Sequence, residues 1–277
     1  VTPLALIASI FAIALLAGFA GSLLGLGGGI IVVPALTLIF GVDIRLAIGA
    51  AIISVIATSS GAAAAYVKEN LANLRVAMFL EIGTTLGAIS GAYLAGIVHT
   101  RFLFILFGLL LAWSAVAMLQ KRHEAHGDAY ASPLADRLRL HSSYFDEAIG
   151  QAVDYRVTRP ITGLGLMYLA GAASGLLGIG SGALKVPAMD LAMRLPMKVS
   201  TATSNFMIGV TAAASAGLYF VRGDIDPVLA APVAAGVLFG ATIGSRFLGR
   251  LESRVIRVVF IVVLLVVSVQ MLVRGVR

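Results

Sequence analysis

The run Gly25-Leu26-Gly27-Gly28-Gly29, closed by Pro34, returns as Gly178-Ile179-Gly180-Ser181-Gly182, closed by Pro187, a shift of 153 residues from position 25 to position 178. The register holds without a gap well beyond the motif. Leu23-Leu24 align with Leu176-Leu177, Thr58 with Thr211 and Tyr66 with Tyr219, and Gly83, Gly87 and Gly91 align with Gly236, Gly240 and Gly244. Both copies lie inside apolar sequence. A glycine cluster breaks a helix and frees backbone N–H and C=O groups that hydrocarbon cannot satisfy. Such backbone is tolerated at membrane depth only when buried in protein or lining a wet cavity. Paired interruptions at equivalent places in two halves point to the central site of a transporter.

The rest of the composition agrees with a membrane setting. Hydrophobic residues make up 60% of the 277 and charged residues 12%, with a mean hydropathy of +1.01. That is too little charge to cover the surface of a soluble domain. The expected fold is therefore an all-α polytopic membrane protein with two homologous helical halves, residues 1–120 and 160–277, joined by a polar linker, 121–159. There are no cysteines, which excludes a disulfide framework and a thiolate metal site. The net charge of +7 is assigned to basic residues in cytoplasmic loops, not to nucleic-acid binding. The first apolar run, Leu4 to Leu24, follows no basic residue and is longer than a signal-peptide core, so it reads as a retained helix.

Apolar runs fall at 4–24, 29–40, 45–67, 73–98 and 102–120, then at 160–177, 183–193, 198–221, 227–248 and 255–273. Crossing the hydrocarbon takes roughly 20 helical residues, and eight of these ten runs reach or approach that length. The two that follow the glycine motifs are short, and Pro34 and Pro187 weaken them further. They suit half-length helices, re-entrant arms or tilted spans. If all ten runs cross and the linker is cytoplasmic, 14 basic residues lie inside and 5 outside; if the short runs are re-entrant, the split is 11 to 8. The positive-inside bias favours the first arrangement. Five crossings per half then make the halves an inverted repeat, with the glycine-broken helices meeting near the midplane. The linker carries six basic and six acidic residues. Its Leu134, Leu138, Phe145, Ile149 and Val153 suit short amphipathic pieces resting on membrane or protein. Connection is its leading role, ahead of regulation. His123, His126 and His141 lie in it, and His99 closes an apolar run as an interfacial loop residue.

Consecutive N–H groups around Gly27-Gly28-Gly29 and Gly180-Ser181-Gly182 would form an anion-binding nest, helped by the dipole of the following helix. The glycines spaced four apart, such as Gly83, Gly87 and Gly91, read instead as helix-packing positions. The second half carries Ser200-Thr201-Ala202-Thr203-Ser204-Asn205 where the first has Ala47-Ile48-Gly49-Ala50-Ala51-Ile52. Thr203, Ser204 and Asn205 are assigned as donors to ligand oxygens, with helix–helix bonding as an equal alternative. Ser54, Thr58, Ser59 and Ser60 form a weaker cluster in the first half. Lys185 would supply fixed positive charge to the nest or pair with Asp190. Glu81, an intramembrane carboxylate, is a proton-coupling candidate, or else a partner for Arg75. The chain has no HExxH, P-loop lysine or nucleophile elbow. No enzyme activity, cofactor or metal is expected.

The glycine-cluster-then-proline pattern, its recurrence after a long polar linker, and Ala202-Thr203-Ser204 resemble the sulfite exporter TauE/SafE family of bacterial permeases. The resemblance covers both halves. It implies a multi-span inner-membrane carrier for small sulfur-containing or organic anions such as sulfite, sulfoacetate or related sulfonates. The family's motif falls on Gly25, Gly27, Gly29 and Pro34, on Gly178, Gly180, Gly182 and Pro187, and on Ala202-Thr203-Ser204. The chain departs from it at Gly49-Ala50-Ala51, where the family often has a Thr-Ser pair, so the halves are not expected to contribute equally. The resulting expectation is a secondary carrier working by alternating access. Its candidate substrate contacts are Gly25, Gly27, Gly28, Gly29, Gly178, Gly180, Ser181, Gly182, Lys185, Thr203, Ser204, Asn205, Thr58 and Thr211. Expected partners are the small anion, membrane lipid, a coupling proton and a second copy in a homodimer, with no nucleic acid. An anion channel and a non-transporting assembly or sensor protein are the alternatives.

Overall fold

A computed structural model describes residues 3–119, 132–147, 149–178, 181–248 and 251–276. The first half supplies α1 (Pro3–Leu24), α2 (Gly29–Pro34), α3 (Ile44–Lys68), α4 (Leu74–Ala95) and α5 (Thr100–Leu119). The linker follows with α6 (Pro133–Arg137) and an antiparallel hairpin of β1 (Ser142–Asp146) and β2 (Gln151–Tyr155), in the register Ser142 opposite Tyr155 and Asp146 opposite Gln151. The second half repeats the first order as α7 (Pro160–Leu177), α8 (Gly182–Pro187), α9 (Met197–Val221), α10 (Pro227–Leu248) and α11 (Ser253–Val276). Local chemistry sets several starts. The Asn73 side chain caps α4 by accepting from Val76 N–H at 3.1 Å, and Asp43 caps α3 through Arg45 N–H. Prolines open α6, α7 and α10, where a missing N–H does no harm.

Among the described residues six helices are long and apolar enough to cross a membrane: α1, α3, α4, α7, α9 and α10. The other two long runs expected from the sequence are helices as well, α5 of 20 residues and α11 of 24. The two short runs are broken helices. Gly29–Pro34 continues into a five-residue π turn, Ala35–Ile39, and Gly182–Pro187 continues into its equivalent, Ala188–Ala192. Proline has no N–H for the preceding turn, and the ladder widens directly after it. Gly29–Ile39 spans about 16 Å at 1.5 Å per residue, roughly half the hydrocarbon thickness.

The halves exchange partners. α1 packs on α10 and α4 on α7, pairs that are equivalent under the repeat, while α5 packs on α11 and α3 on α9. The glycines spaced four apart make the first two contacts possible. A Cβ on Gly87 would strike the carbonyl of Tyr168 and one on Gly91 that of Ala172, and Gly240 and Gly244 meet the carbonyls of Leu15 and Phe19 in the same way. The struck residue advances with the glycine, so α4 runs parallel to α7 and α1 parallel to α10. α4 also runs parallel to α9: Asn73 N–H donates to Thr203, Thr211 donates to Glu81, and Arg222 donates to Ala92 O, each pair 130 residues apart. The self-equivalent pair α5 and α11 is antiparallel, with Arg101 bonded to Gly275 and Gly108 to Ser268.

The second part of the linker is a hairpin docked on the helices. Alternation over Ser142–Asp146 turns Tyr144 and Asp146 inward and leaves Phe145 exposed, a period of two. Lys198, in the first turn of α9, donates to Asp146 at 2.7 Å, with both side chains buried. Asn73 donates through Nδ2 to Leu140 O and to the Tyr155 hydroxyl, both at 2.9 Å. The expectations placed on Lys121, Arg122, His123, Glu124, His126 and Asp128 fall outside the described residues.

Candidate functional site

The two helix breaks meet. In the first, Gly25, Gly27 and Gly28 take φ of +71°, +76° and +72°, which a side chain would oppose. In the second, Gly178 takes +66° and Ser181, the counterpart of Gly28, takes +56°. A Cβ on Gly182 would collide with Gly25 O, and one on Gly25 would lie 3.0 Å from Thr201 O. Gly25 to Gly29, Gly178, Ser181 and Gly182 are all buried. Gly180 lies outside the described residues. Pro34 and Pro187 are buried at the far ends of α2 and α8.

The polar stretch of α9 is spent on this junction. Ser204 Oγ donates to Gly25 O at 2.9 Å, and Asn205 Nδ2 donates to Ser22 O at 2.6 Å. Thr203 Oγ1 accepts from Asn73 N–H at 3.0 Å. In this arrangement all three serve helix–helix bonding. Thr58 donates to Gly27 O at 3.0 Å or Ser54 O at 2.8 Å, fixing the first break to the middle of α3. Two tyrosines repeat one contact in each half. Tyr66 donates to Ser22 O at 2.9 Å, and Tyr219 donates to Gly175 O at 2.6 Å. Ser22 and Gly175 are themselves equivalent positions.

A second cluster surrounds Lys185. α8 carries this lysine fully buried, and its Nζ donates to Thr211 Oγ1 at 2.6 Å. The Thr211 hydroxyl in turn donates to Glu81 Oε1 at 2.7 Å, and Thr85 donates to the same oxygen at 3.2 Å. Glu81 Oε2 lies 3.8 Å from Lys185 Nζ. Two expected pairings are thereby corrected. Lys185 takes Glu81 rather than Asp190, because α4 lies beside α9 and presents its carboxylate across the gap. Arg75 is one and a half turns away from Glu81 and donates to Arg139 O at 3.0 Å instead. Thr211, matched to Thr58 by the repeat, is thus the hinge of an ionic cluster and not a second prop for a glycine turn. The reason is two differences between the halves: Lys185 stands where the first half has Val32, and Glu81 stands where the second half has Ala234.

Over residues 10–271 the chain matches the family described as Sulfite exporter TauE/SafE. The chain belongs to that family. It is similar to the Probable membrane transporter protein YunE of Bacillus subtilis (strain 168), 27% identical over 269 residues that cover 95% of this chain and 96% of the relative. It is also similar to a Probable membrane transporter protein of Xylella fastidiosa (strain 9a5c), 30% identical over 241 residues that cover 86% of this chain and 83% of that one. No solved structure matches. This TauE/SafE protein is a multi-pass membrane transporter.

Asn73 is the residue that sequence reasoning missed. It caps α4, bonds Thr203 and holds the linker at once. Its signal was the placement of an asparagine directly before an apolar run, a helix-start mark. Tyr66 and Tyr219 were visible as repeat-matched residues, but nothing in the sequence showed where their hydroxyls reach.

Proposed function

We propose that this TauE/SafE transporter is a secondary carrier that moves a small sulfur-containing or organic anion across the bacterial inner membrane by alternating access. Sulfite, sulfoacetate and related sulfonates are its substrate class. The observation that carries this reading is the fully buried ammonium of Lys185, one helical turn beyond a glycine break that touches the break of the other half. A buried lysine is costly in a membrane and marks an ion or substrate path. The anion is held between Lys185 and Thr211 on one side and the glycine breaks with Ser204 and Asn205 on the other.

The conformation described is the closed stage of the cycle. Thr201 Oγ1 and Asn205 Oδ1 are buried without hydrogen-bond partners beside the first break, and they gain partners when the breaks separate around a solute. Parallel packing of α4 with α9, whose counterparts are α10 and α3, supports an inverted relation between halves. Successive spanning helices α3 and α4 run in opposite senses, so α9 opposes its own counterpart α3. With the linker cytoplasmic, rocking of one inverted half against the other exposes the site to each side in turn. Uptake of radiolabelled sulfite and of small sulfonates into proteoliposomes tests the reading. Saturable flux that is lost in Lys185→Ala is expected, and no flux of any of these anions through folded protein refutes it.

A further inference from the structure

Glu81 occupies the place an anion would take at Lys185. Its Oε1 accepts from Thr211 and Thr85, whereas Oε2 is shielded from water and has no hydrogen-bond partner. The Thr211 hydroxyl has one proton and two acceptors within reach, Glu81 Oε1 at 2.7 Å and Met207 O at 3.0 Å. The hydroxyl therefore has two settings, one on the carboxyl and one on the helix carbonyl.

Resting on the carrier reading above, we propose that Glu81 is the resident counter-anion of Lys185, displaced by the substrate anion when Glu81 takes up a proton, so that one proton travels with each anion charge. The charge balance requires it. With Glu81 ionised and an anion bound, two negative groups would share one ammonium. With Glu81 protonated and no anion, the ammonium would stand uncompensated in a buried site. While Lys185 stays an ammonium, the paired states that remain are carboxylate without substrate and carboxylic acid with substrate. The proton goes onto Oε2, the oxygen without a hydrogen-bond partner, where its O–H donates to an oxygen of the bound anion. No other bond is made or broken.

The charged and titratable groups around Glu81 leave Lys185 as its ion partner. From α7, Tyr168 faces Ser90, more than two turns further along α4. On α9, Lys198 is held by Asp146 at one end, and Arg222 follows the other end bonded to Asp224. Arg75 on α4 itself is bonded to the linker.

By linkage the proton must strengthen anion binding by the same factor that the anion strengthens proton binding. Methanesulfonate is the probe, because its own charge does not change with pH. Calorimetric titration of the purified full chain should show affinity falling about tenfold per pH unit on the alkaline limb. Weakly buffered wild-type protein should take up one proton per methanesulfonate bound, a measurement that needs no variant. Glu81→Gln, a mimic of the protonated acid, should bind with constant affinity wherever Lys185 stays an ammonium and match the acid-limit affinity of the wild type. pH-independent binding with no proton uptake in the wild type would overturn the coupling while leaving the carrier intact, and so would an unchanged pH slope in Glu81→Gln. Absence of methanesulfonate binding at any pH, in protein with an intact melting transition, overturns the sulfonate-carrier reading beneath it.

Discussion

Lys198 and Asp146 join the linker hairpin to the first turn of α9 through a 2.7 Å contact, with the side chains 0% and 8% exposed. Lys198→Met removes the ammonium and leaves the Asp146 carboxylate buried without its ion partner, while the Tyr144 hydroxyl still donates to it at 3.2 Å. Breaking one side of a buried pair costs about 3–5 kcal/mol, because the surviving charge has lost its compensation. At roughly 2–4 °C per kcal/mol for a chain of this size, that is a fall in Tm of roughly 6–20 °C. Asp146→Asn should lose less, since the amide oxygen still accepts from Lys198. The double variant should recover about 1–3 kcal/mol of the summed losses, the coupling expected of side chains in contact. Thermal melting of the four proteins in detergent, with limited proteolysis of the hairpin beside it, reads both quantities. If Lys198→Met melts within about 1 kcal/mol of the wild type, or if the single losses simply add, the contact is solvated and the hairpin is not sealed onto α9.

The paired tyrosines give an asymmetric outcome. Ser22 O keeps Asn205 as a second side-chain donor, so Tyr66→Phe should cost about 0.5–1.5 kcal/mol. Gly175 O has no second side-chain donor among the described residues, so Tyr219→Phe should cost about 1–3 kcal/mol; denaturant titration of both variants checks the order. Gly87→Ala places a methyl against Tyr168 O and should destabilise by at least about 1–3 kcal/mol. Gly165→Ala, which meets nothing within 4 Å, should be neutral or stabilising by about 0.5–1 kcal/mol, and the two melts are compared directly. Burial pushes the Tyr155 phenol up from its usual 10.0. The neutral form is the one favoured on folding, so its contribution to linker docking is complete below pH 10 and is lost as pH rises past that value. Trypsin cleavage of the hairpin should accelerate there in the wild type, and Tyr155→Phe should lack that particular step.

Fold class was legible because each mark of it is local. The duplicated glycine motif, the apolar runs and the prolines all act on their own stretch of chain, and glycines four apart announce a close helix contact without saying with what. The partner of each helix was not legible. Nothing near Gly87 names Tyr168, and the exchange of α1 and α4 between halves follows from shape fitting over long separations. The site divides the same way. Lys185, Glu81 and Thr211 each stood out as polar residues in apolar runs, but their meeting depends on the parallel register of α4 with α9. Local reasoning offered Asp190 and Arg75, the near neighbours in sequence, and the fold chose distant ones. The hairpin was hidden for another reason: a five-residue strand gives too few alternations to be told from a short amphipathic helix.

The exchange of helices between halves has a consequence for biosynthesis. α1 leaves the ribosome well before α10, yet the groove that receives its backbone belongs to α10. α4 likewise waits for α7, beyond the whole linker. Neither half owns a complete interior, so a nascent chain arrested before α10 holds an inserted α1 with a naked face turned to lipid or to a chaperone. Truncation after residue 160 should therefore yield a substrate for membrane quality control and not an independently stable half.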